Sequence, residues 1–243
     1  MWKTRAGQCI YQSSTGIRVF QNLFFRWLQF DSTALQTVLN RYFPHRPGLH
    51  YLAPLVLPVK LNPADCCMLG LGGGGAAHAL SPLLTNFQLT IVEASAEVID
   101  VARRYFMIDQ LKTLNLIHQD ANLFVQQCKK QFQYILVDLF NADSFPAHCN
   151  TDTFFSNCKR LLKPGGLLVV NLANKNEQWP VFKLVEKQFP DSTIVLPVPD
   201  CSNMIIFAQN GLISAFLAQL KTHKIMSQLM WDSKWKYIAQ FKT

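Results

Sequence analysis

Apolar and polar positions follow two different periods along this chain, and the change of period divides it into regions. Between residues 17 and 39, short apolar runs separated by polar turns predict three antiparallel strands, which form a small β-meander. The proline-rich stretch 43–63 follows, with one short helix predicted over 49–57 and kinked by Pro54. From residue 65 onward, short apolar runs alternate with stretches of helical period, which is typical of consecutive βα units.

Five βα units lead to a closing pair of strands. The five strands are predicted over 66–69, 89–92, 113–117, 134–137 and 167–172, and the helices over 76–84, 96–106, 121–130, 151–162 and 179–189. Residues 193–196 and 204–208 predict a final hairpin. This order predicts an α/β fold, a Rossmann-like doubly wound sheet of seven mostly parallel strands, with an antiparallel C-terminal hairpin and the β-meander in front.

Charge is distributed unevenly over three segments of the chain. Residues 1–60, the meander and linker, carry seven Lys and Arg against one acid, whereas residues 61–210, the Rossmann-like domain, carry eleven against thirteen. Residues 211–243, predicted as a basic amphipathic helical tail, carry five against one, and the whole chain has a formal charge of +8. A basic flank could meet nucleic acid, but scattered Lys and Arg usually form a solvated surface, so we expect no nucleic-acid partner.

Composition indicates a large core in a reducing compartment. The 243 residues are 49% hydrophobic and 16% charged, and no apolar stretch reaches the roughly 18–20 residues that span a bilayer. The first residues lack the apolar block of a signal peptide. None of the seven cysteines forms a C-x-x-C pair, and Cys66 and Cys67 fall in a predicted buried strand. We therefore expect a cytoplasmic protein with free thiols, no membrane association and no metal.

The turn between the first strand and helix of the βα region carries the most specific pattern. Gly70, Gly72 and Gly75 fit the spacing G-x-G-x-x-G, and a turn without Cβ atoms lets a ligand lie against the backbone. Glu93 ends the next strand, eighteen residues after Gly75, where such folds hold the hydroxyls of a ribose. A tight turn with an unrelated surface glutamate is the alternative, but this context favours an adenosine-type cofactor.

Acids also follow the next two predicted parallel strands. Glu93, Asp120 and Asp138 stand at successive strand ends beyond Gly72, and ligands of this topology bind at the carboxyl ends of the strands. Each acid has a structural alternative, because Glu93 and Asp120 could cap the following helices and Asp138 could cap a loop. Four candidates at consecutive strand ends favour one shared crevice.

Several segments together carry a family resemblance, and the N-terminal Phe30, Asp31 and Gln36 add to it. These segments are LGLGGG (69–74), VEAS (92–95), YILVDLF (134–140), FPAH (145–148), TFF (153–155), LKPGG (162–166) and VVNL (169–172). Over residues 15–210 the chain resembles the polyamine aminopropyltransferase, or spermidine synthase-like, branch of the S-adenosylmethionine-dependent methyltransferase fold. The glycine loop and the Pro-Gly-Gly segment occur in many methyltransferases, whereas the meander and Val-Asp-x-Phe are more specific to this branch.

The resemblance implies a cofactor and the residues that bind it. The cofactor is S-adenosylmethionine or decarboxylated S-adenosylmethionine, with methylthioadenosine as the product of aminopropyl transfer. Glu93 would hold the ribose hydroxyls, Asp120 and Ala121 the adenine edge, and Gln36 the thioether end of the nucleoside. The glycines that would approach the amino-acid or aminopropyl part are Gly70, Gly72, Gly73 and Gly74.

The resemblance also implies the reaction and its acceptor. Asp138 would be the catalytic acid, a carboxylate that orients the attacking amine or takes its proton. The acceptor would be a small-molecule amine, no metal would be needed, and a homodimer is compatible with the family. Polyamine synthases carry a second acid three residues further on, but that position is Asn141 here, and the next acid is Asp143. We retain both as candidates on the acceptor side.

A second departure concerns the family's Tyr-His-Glu segment before the glycine loop. His50 and Tyr51 stand near that place without a glutamate, and residues 1–60 offer only Asp31 to a polycationic acceptor. The sequence therefore leaves the acceptor open. It also leaves open a methyltransferase with an unrelated acceptor and a catalytically silent nucleoside-binding or interaction protein. A nicotinamide-dependent dehydrogenase would share the glycine loop but would not explain Asp138 or the closing hairpin.

Overall fold

The N-terminal part of the chain folds into a small antiparallel sheet. The computed structural model describes residues 2–31, 34–111, 113–140, 144–232 and 238–241. The strands of this first sheet are β1 (Gln8–Gln12), β2 (Arg18–Gln21), β3 (Phe25–Gln29) and β4 (Leu35–Asn40), each paired with the next. The three predicted strands correspond to β2, β3 and β4. Strand β1 was not predicted, because its apolar residues are consecutive rather than alternating.

The second sheet contains the predicted βα units. Its strands are β5 (Cys66–Leu69), β6 (Leu89–Glu93), β7 (Leu114–His118), β8 (Phe132–Val137), β9 (Leu162–Leu172), β10 (Thr193–Pro197), β11 (Met204–Gln209), β12 (Leu229–Asp232) and β13 (Ile238–Phe241). The described strands run in the order β12-β13-β10-β11-β9-β8-β5-β6-β7. Strands β5 to β9 pair in parallel, and β11 is antiparallel to both β9 and β10. The predicted doubly wound sheet with a closing hairpin is confirmed, and the described strands β12 and β13 extend its seven predicted strands to nine.

Polar side chains start several of the helices. The helices are α1 (Leu52–Leu61), α2 (Gly75–Leu80), α3 (Ala96–Phe106), α4 (Ala121–Gln127), α5 (Asp152–Arg160), α6 (Lys175–Gln188) and α7 (Ser214–Thr222). Ser95, Asp120 and Thr151 accept the backbone N–H of the third helical residue, so each of these side chains fixes where a strand-to-helix loop ends. None of the described helices is long and apolar enough to cross a membrane.

Several helix boundaries differ from those predicted, and two of these differences involve proline-containing segments. Helix α1 begins at Leu52 rather than at residue 49, and Pro54 lies in its first turn, where the backbone needs no proline N–H. Helix α5 ends at Arg160, and the Lys-Pro-Gly-Gly segment belongs to β9 instead of closing the helix.

The expectation of a helical C-terminal tail is wrong beyond residue 228. Helix α7 and a short 3₁₀ helix (Ile225–Gln228) are followed by β12, which pairs with β13. Strand β13 in turn pairs in parallel with β10, where Val195 faces Ile238. Strand β10 would otherwise leave one backbone edge unpaired, and this pairing satisfies that edge.

The main sheet is buried on both faces. Met68, Leu136 and Val169 belong to one apolar cluster, and the following residue on each strand, such as Leu69, belongs to the cluster on the opposite face. Val38 of β4 shares the first cluster, so the meander packs directly on the α/β core. This contact brings β4 to the carboxyl ends of the parallel strands, where the candidate residues lie.

Candidate functional site

A cleft of about 750 Å³ lies where the carboxyl ends of the parallel strands meet β4. Its volume falls in the range of roughly 300–1,000 Å³ that is typical of small-molecule sites. The glycine turn, the strand-end acids, β4 and the turn between β10 and β11 all contribute to its walls. Of the residues that the sequence singles out, the cleft brings together Gln36, Gly70, Gly72, Glu93, Asp120, Ala121 and Asp138.

The glycine turn brings the ends of β5, β6 and β8 close together. Gly70 has a φ of +98°, its N–H donates to the carbonyl of Val92 at 2.8 Å, and an added Cβ would overlap the carbonyl oxygen of Asp138. Gly72 also has a positive φ, +52°. A side chain at Gly70 would therefore need both a left-handed backbone and a displaced Asp138.

The next two glycines do not line the cleft, which corrects the expectation that all four lie against the ligand. The N–H of Gly73 donates to the Oγ1 of Thr37 at 2.8 Å, and a Cβ on Gly74 would lie 2.6 Å from Ile108. These glycines allow the turn to pack against β4 and the protein interior. Thr37 is buried and was not predicted, although it neighbours Gln36 in the sequence.

The carboxylate of Glu93 lies next to the glycine turn and is fixed by two backbone N–H groups. Its Oε2 accepts the N–H of Leu71 at 3.0 Å, and its Oε1 accepts the N–H of Ser95 at 2.9 Å. A carboxylate offers about four lone-pair sites, so acceptor capacity remains for two hydroxyl groups. The cap of α3 is Ser95, whose Oγ accepts the N–H of Val98, and Glu93 is therefore free of the capping role that was its alternative.

Asp120 caps a helix and also lines the cleft. One carboxylate oxygen caps α4 by accepting the N–H of Leu123 at 3.0 Å, and the other lies 2.8 Å from the Nε2 of His148. Burial raises the pKa of Asp120, but the hydrogen bonds from Leu123 and His148 outweigh it and lower the pKa below its ordinary value. Ala121 begins α4 and is buried beside Asp120 on the cleft wall.

The carboxylate of Asp138 is held by a chain of side-chain hydrogen bonds. Its Oδ2 accepts a hydrogen bond from the phenol of Tyr51 at 3.2 Å, and its Oδ1 accepts one from the amide of Asn171 at 2.8 Å. The amide of Asn203 donates in turn to the Oδ1 of Asn171 at 2.8 Å. A chain of hydrogen bonds thus fixes the carboxylate from both sides.

Burial raises the pKa of both Asp138 and Tyr51. It raises the pKa of Asp138, and the hydrogen bonds from Asn171 and Tyr51 only partly oppose that effect. Burial and the negative charge of Asp138 raise the pKa of Tyr51 well above its ordinary value, so the phenol keeps its proton and donates a hydrogen bond to Asp138. Asp138 is therefore a more basic carboxylate than an exposed aspartate, which suits proton acceptance.

Sequence reasoning missed three of the residues around Asp138. Asn171 is only 3% exposed and is the polar residue within the apolar run 167–172 of a central strand, a signal that could have revealed it. Tyr51 lies near the place of the family's Tyr-His-Glu segment, and its hydrogen bond to Asp138 was not predicted. Asn203 depends on the register of the closing hairpin, which the sequence does not reveal. The acceptor-side candidates Asn141 and Asp143 lie outside the described residues.

The charge of the cleft is opposite to that of the chain. Its described lining contains no Lys or Arg, and its six carboxylates belong to Asp31, Glu93, Glu97, Asp120, Asp138 and Asp200. The chain as a whole carries +8. A concave site lined by one sign of charge concentrates ligands of the opposite sign, so this cleft favours cations. Within the described part of the chain, no group of three or more His, Cys, Asp or Glu could hold a metal ion.

The sheet and its cleft together define a Rossmann-like protein of the methyltransferase-fold class. Residues 50–219 match the spermine/spermidine synthase domain. This match covers well over half of the chain, and the chain belongs to that family.

Curated relatives include both aminopropyltransferases and methyltransferases. The polyamine aminopropyltransferase of Vibrio vulnificus is 29% identical over 164 residues, which cover 64% of this chain and 55% of that protein. The eEF1A lysine and N-terminal methyltransferase homolog of Drosophila pseudoobscura pseudoobscura is 29% identical over 139 residues, which cover 54% of this chain and 21% of that protein. The chain spans about half the length of the polyamine aminopropyltransferases of Vibrio vulnificus and Nitrosomonas europaea.

Solved structures share the same fold. Spermidine synthase from Thermotoga maritima has a TM-score of 0.64 and 22% identity, with 84% of this chain and 74% of that chain covered. Human methyltransferase-like protein 13 in complex with SAH has a TM-score of 0.57 and 18% identity, with 76% of this chain and 94% of that chain covered. At these identities the likeness establishes the fold.

Proposed function

We propose that this chain binds S-adenosylmethionine or its decarboxylated form and transfers an aminopropyl or methyl group to an amine-type acceptor. The observation that carries the proposal is the Asp138 carboxylate, which Tyr51 and Asn171 hold directly after β8, on a residue whose backbone carbonyl lies against Gly70. Membership of the spermine/spermidine synthase family supports it, as do relatives named for aminopropyl and methyl transfer.

The residues of the cleft fit a sulfonium nucleoside. Glu93 keeps lone pairs for two ribose hydroxyls, and Asp120 and Ala121 form the wall where the adenine edge would lie. Gly70 and Gly72 line the cleft without side chains, so the chain that carries the sulfur would lie against their backbone. When bound, the cofactor supplies an electrophilic carbon next to a positively charged sulfur.

The role of the protein in the reaction is to orient the acceptor amine and to activate it for attack on carbon. An amine must lose its proton before it can attack carbon, and at neutral pH most alkylamines are protonated. The carboxylate of Asp138, made more basic by burial, accepts a hydrogen bond or a proton from the amine. Tyr51 and Asn171 fix the direction of its lone pairs, so the amine is oriented as well as activated.

Methyl transfer is a second candidate function, because the side chain next to the Asp138 carboxylate is uncharged. Tyr51 places a neutral phenol there, whereas the resemblance led us to expect a further carboxylate for a polyamine. Competition between the two cofactors separates the candidates: aminopropyl transfer requires tighter binding of decarboxylated S-adenosylmethionine, and methyl transfer requires tighter binding of S-adenosylmethionine.

Glu93→Ala is expected to abolish nucleoside binding, because it removes the ribose acceptors and releases the N–H groups of Leu71 and Ser95. Calorimetric titration with S-adenosylmethionine, its decarboxylated form and methylthioadenosine measures this. Glu186→Ala is the matched control, since Glu186 lies on α6 in a surface ion pair with Lys183. Absence of binding of all three nucleosides to the unchanged protein would contradict the proposal.

The raised pKa of Asp138 predicts a specific dependence of stability on pH. Between the unfolded and the folded pKa, the folded protein binds more protons than the unfolded chain, so stability falls as pH rises through that window. Asp138→Asn removes this contribution. The Tm of the unchanged protein should therefore fall relative to that of the variant as pH rises. A Tm difference that stays constant across the same pH range would show that burial does not raise this pKa.

A further inference from the structure

A cluster of exposed apolar side chains lies at the end of the meander opposite the cleft. Leu23 and Phe24 occupy the turn between β2 and β3, Tyr42 and Phe43 follow β4, and the four side chains are between 47% and 64% exposed. The rings of Phe24 and Tyr42 lie 6.4 Å apart and join the two turns into one surface, the aromatic patch. Gln36 of the cleft stands near the start of β4, whereas the patch lies beyond its end. Contiguous exposed apolar side chains mark an interaction surface, unlike isolated ones.

An asparagine side chain holds the backbone on each side of the aromatic patch. The Oδ1 of Asn22 accepts the N–H of Phe24 at 3.0 Å. The Oδ1 of Asn40 accepts the N–H groups of Tyr42 and Phe43, both at 2.9 Å. The rings are therefore presented on a fixed backbone, and a partner that binds them has little of this chain to order.

Two arginines border the aromatic patch. The guanidinium of Arg41 donates to two carbonyls of the turn between β2 and β3, and that of Arg46 lies 4.6 Å from the centroid of the Phe43 ring. Neither forms an ion pair with a carboxylate in the described part of the chain. Asp31 is the one acid among residues 1–60, and it lines the cleft instead. The patch thus combines an apolar centre with positive charges that are available to a partner.

We propose that the aromatic patch and its two arginines are a docking surface for an acidic segment of a partner protein. Carboxylates of that segment would form charge-assisted hydrogen bonds with Arg41 and Arg46, and an apolar side chain between them would cover the rings. This surface is separate from the cleft and does not depend on the function proposed above.

Charge and ring geometry favour this occupant over two others. A second copy of the chain would bring the same arginines towards each other, and like charges across an interface oppose association. The rings of Phe24 and Tyr42 are inclined by 60°, so they form no parallel platform on which successive bases of a nucleic acid would stack. An acidic protein segment meets both the charge and the apolar surface.

A random peptide library displayed on phage tests the proposal, with removal of phage that also bind a variant carrying both Phe24→Ser and Tyr42→Ser. We expect the retained peptides to be enriched in Asp and Glu next to an apolar residue. A synthetic copy of the most enriched peptide should bind the double variant about tenfold more weakly in fluorescence anisotropy, and Arg46→Gln likewise. The replaced side chains are exposed, so an unchanged Tm is expected for both variants.

Trp179→Ser is the matched control. Trp179 is 53% exposed and has the ammonium of Lys183 4.6 Å from its ring centroid, as Phe43 has Arg46. Lys183, however, is already paired with Glu186. This variant should bind the selected peptide as the unchanged protein does.

The result that supports the docking surface is acidic enrichment together with weaker binding to the double variant and to Arg46→Gln alone. Retained peptides without acidic enrichment would overturn it, as would equal binding to the double variant or an equal loss in Trp179→Ser. Tighter binding of single-stranded oligo(dT) than of the peptide, lost in the double variant, would assign the surface to nucleic acid. A dimer in sedimentation velocity that the double variant dissociates would assign it to a second copy. Either of these results would also overturn the proposal.

Discussion

Asp138→Asn is expected to lower turnover by about 10²–10⁴-fold while nucleoside binding stays nearly intact. Asparagine has the same shape but cannot accept the proton of the amine, and its amide would face the donating groups of Tyr51 and Asn171. The loss should appear in kcat rather than in cofactor affinity. Steady-state kinetics with the preferred cofactor, together with calorimetry of methylthioadenosine, measure the two quantities separately.

Asp109→Asn is a suitable control for the loss of one acid, because Asp109 forms a largely exposed ion pair with Arg103. An exposed pair contributes little to stability, so this variant should behave as the unchanged protein. Turnover of Asp138→Asn equal to that of the control would assign Asp138 a structural role.

Gly70→Ala is expected to destabilise the fold by about 2–5 kcal/mol, from the left-handed backbone and from overlap with the neighbouring strand. The added Cβ meets the carbonyl oxygen of Asp138, which is backbone and cannot rotate away. The variant should therefore displace Asp138 as well, and lose turnover along with stability. Urea denaturation measures the first effect, and kinetics at a temperature where the variant is folded measure the second.

Gly165→Ala separates crowding from backbone conformation. Gly165 has a φ of +75°, but a Cβ there would meet nothing within 4 Å. The Gly165→Ala variant should lose only the stability that a left-handed backbone costs, about 1–2 kcal/mol, and should keep its activity. Equal destabilisation of the two variants would show that the approach of Gly70 to Asp138 is unimportant.

The core of the fold was predictable because its strands are buried on both faces and alternate with helical periods. The predicted bounds of β5 and α3 match the structure, since a glycine turn follows the first and Ser95 caps the second. The edges were not predictable. Strand β1 is largely exposed, and β12 and β13 form because they complete the edge of β10, which is information from the tertiary structure.

The strand-end acids of the site were predictable for a topological reason. Parallel neighbours end at the same edge of a sheet, so Glu93, Asp120 and Asp138 had to converge. Of the side chains that support Asp138, Asn171 lies on a central strand, whereas Tyr51 comes from a helix start and Asn203 from the closing hairpin. Their positions depend on loop conformation and strand register, which apolar periodicity does not encode.

Group transfer from a sulfonium nucleoside to an amine is the central claim, and product analysis tests it most directly. The protein is incubated with each of the two cofactors and a mixture of mono-, di- and triamines, and the amines are then analysed by mass spectrometry. We predict an amine that is heavier by one aminopropyl group, with methylthioadenosine released, or heavier by one methyl group, with S-adenosylhomocysteine released. With Asp138→Asn, formation of either product should fall by the same factor as turnover, about 10²–10⁴-fold. Nucleoside binding without any modified amine would contradict the claim.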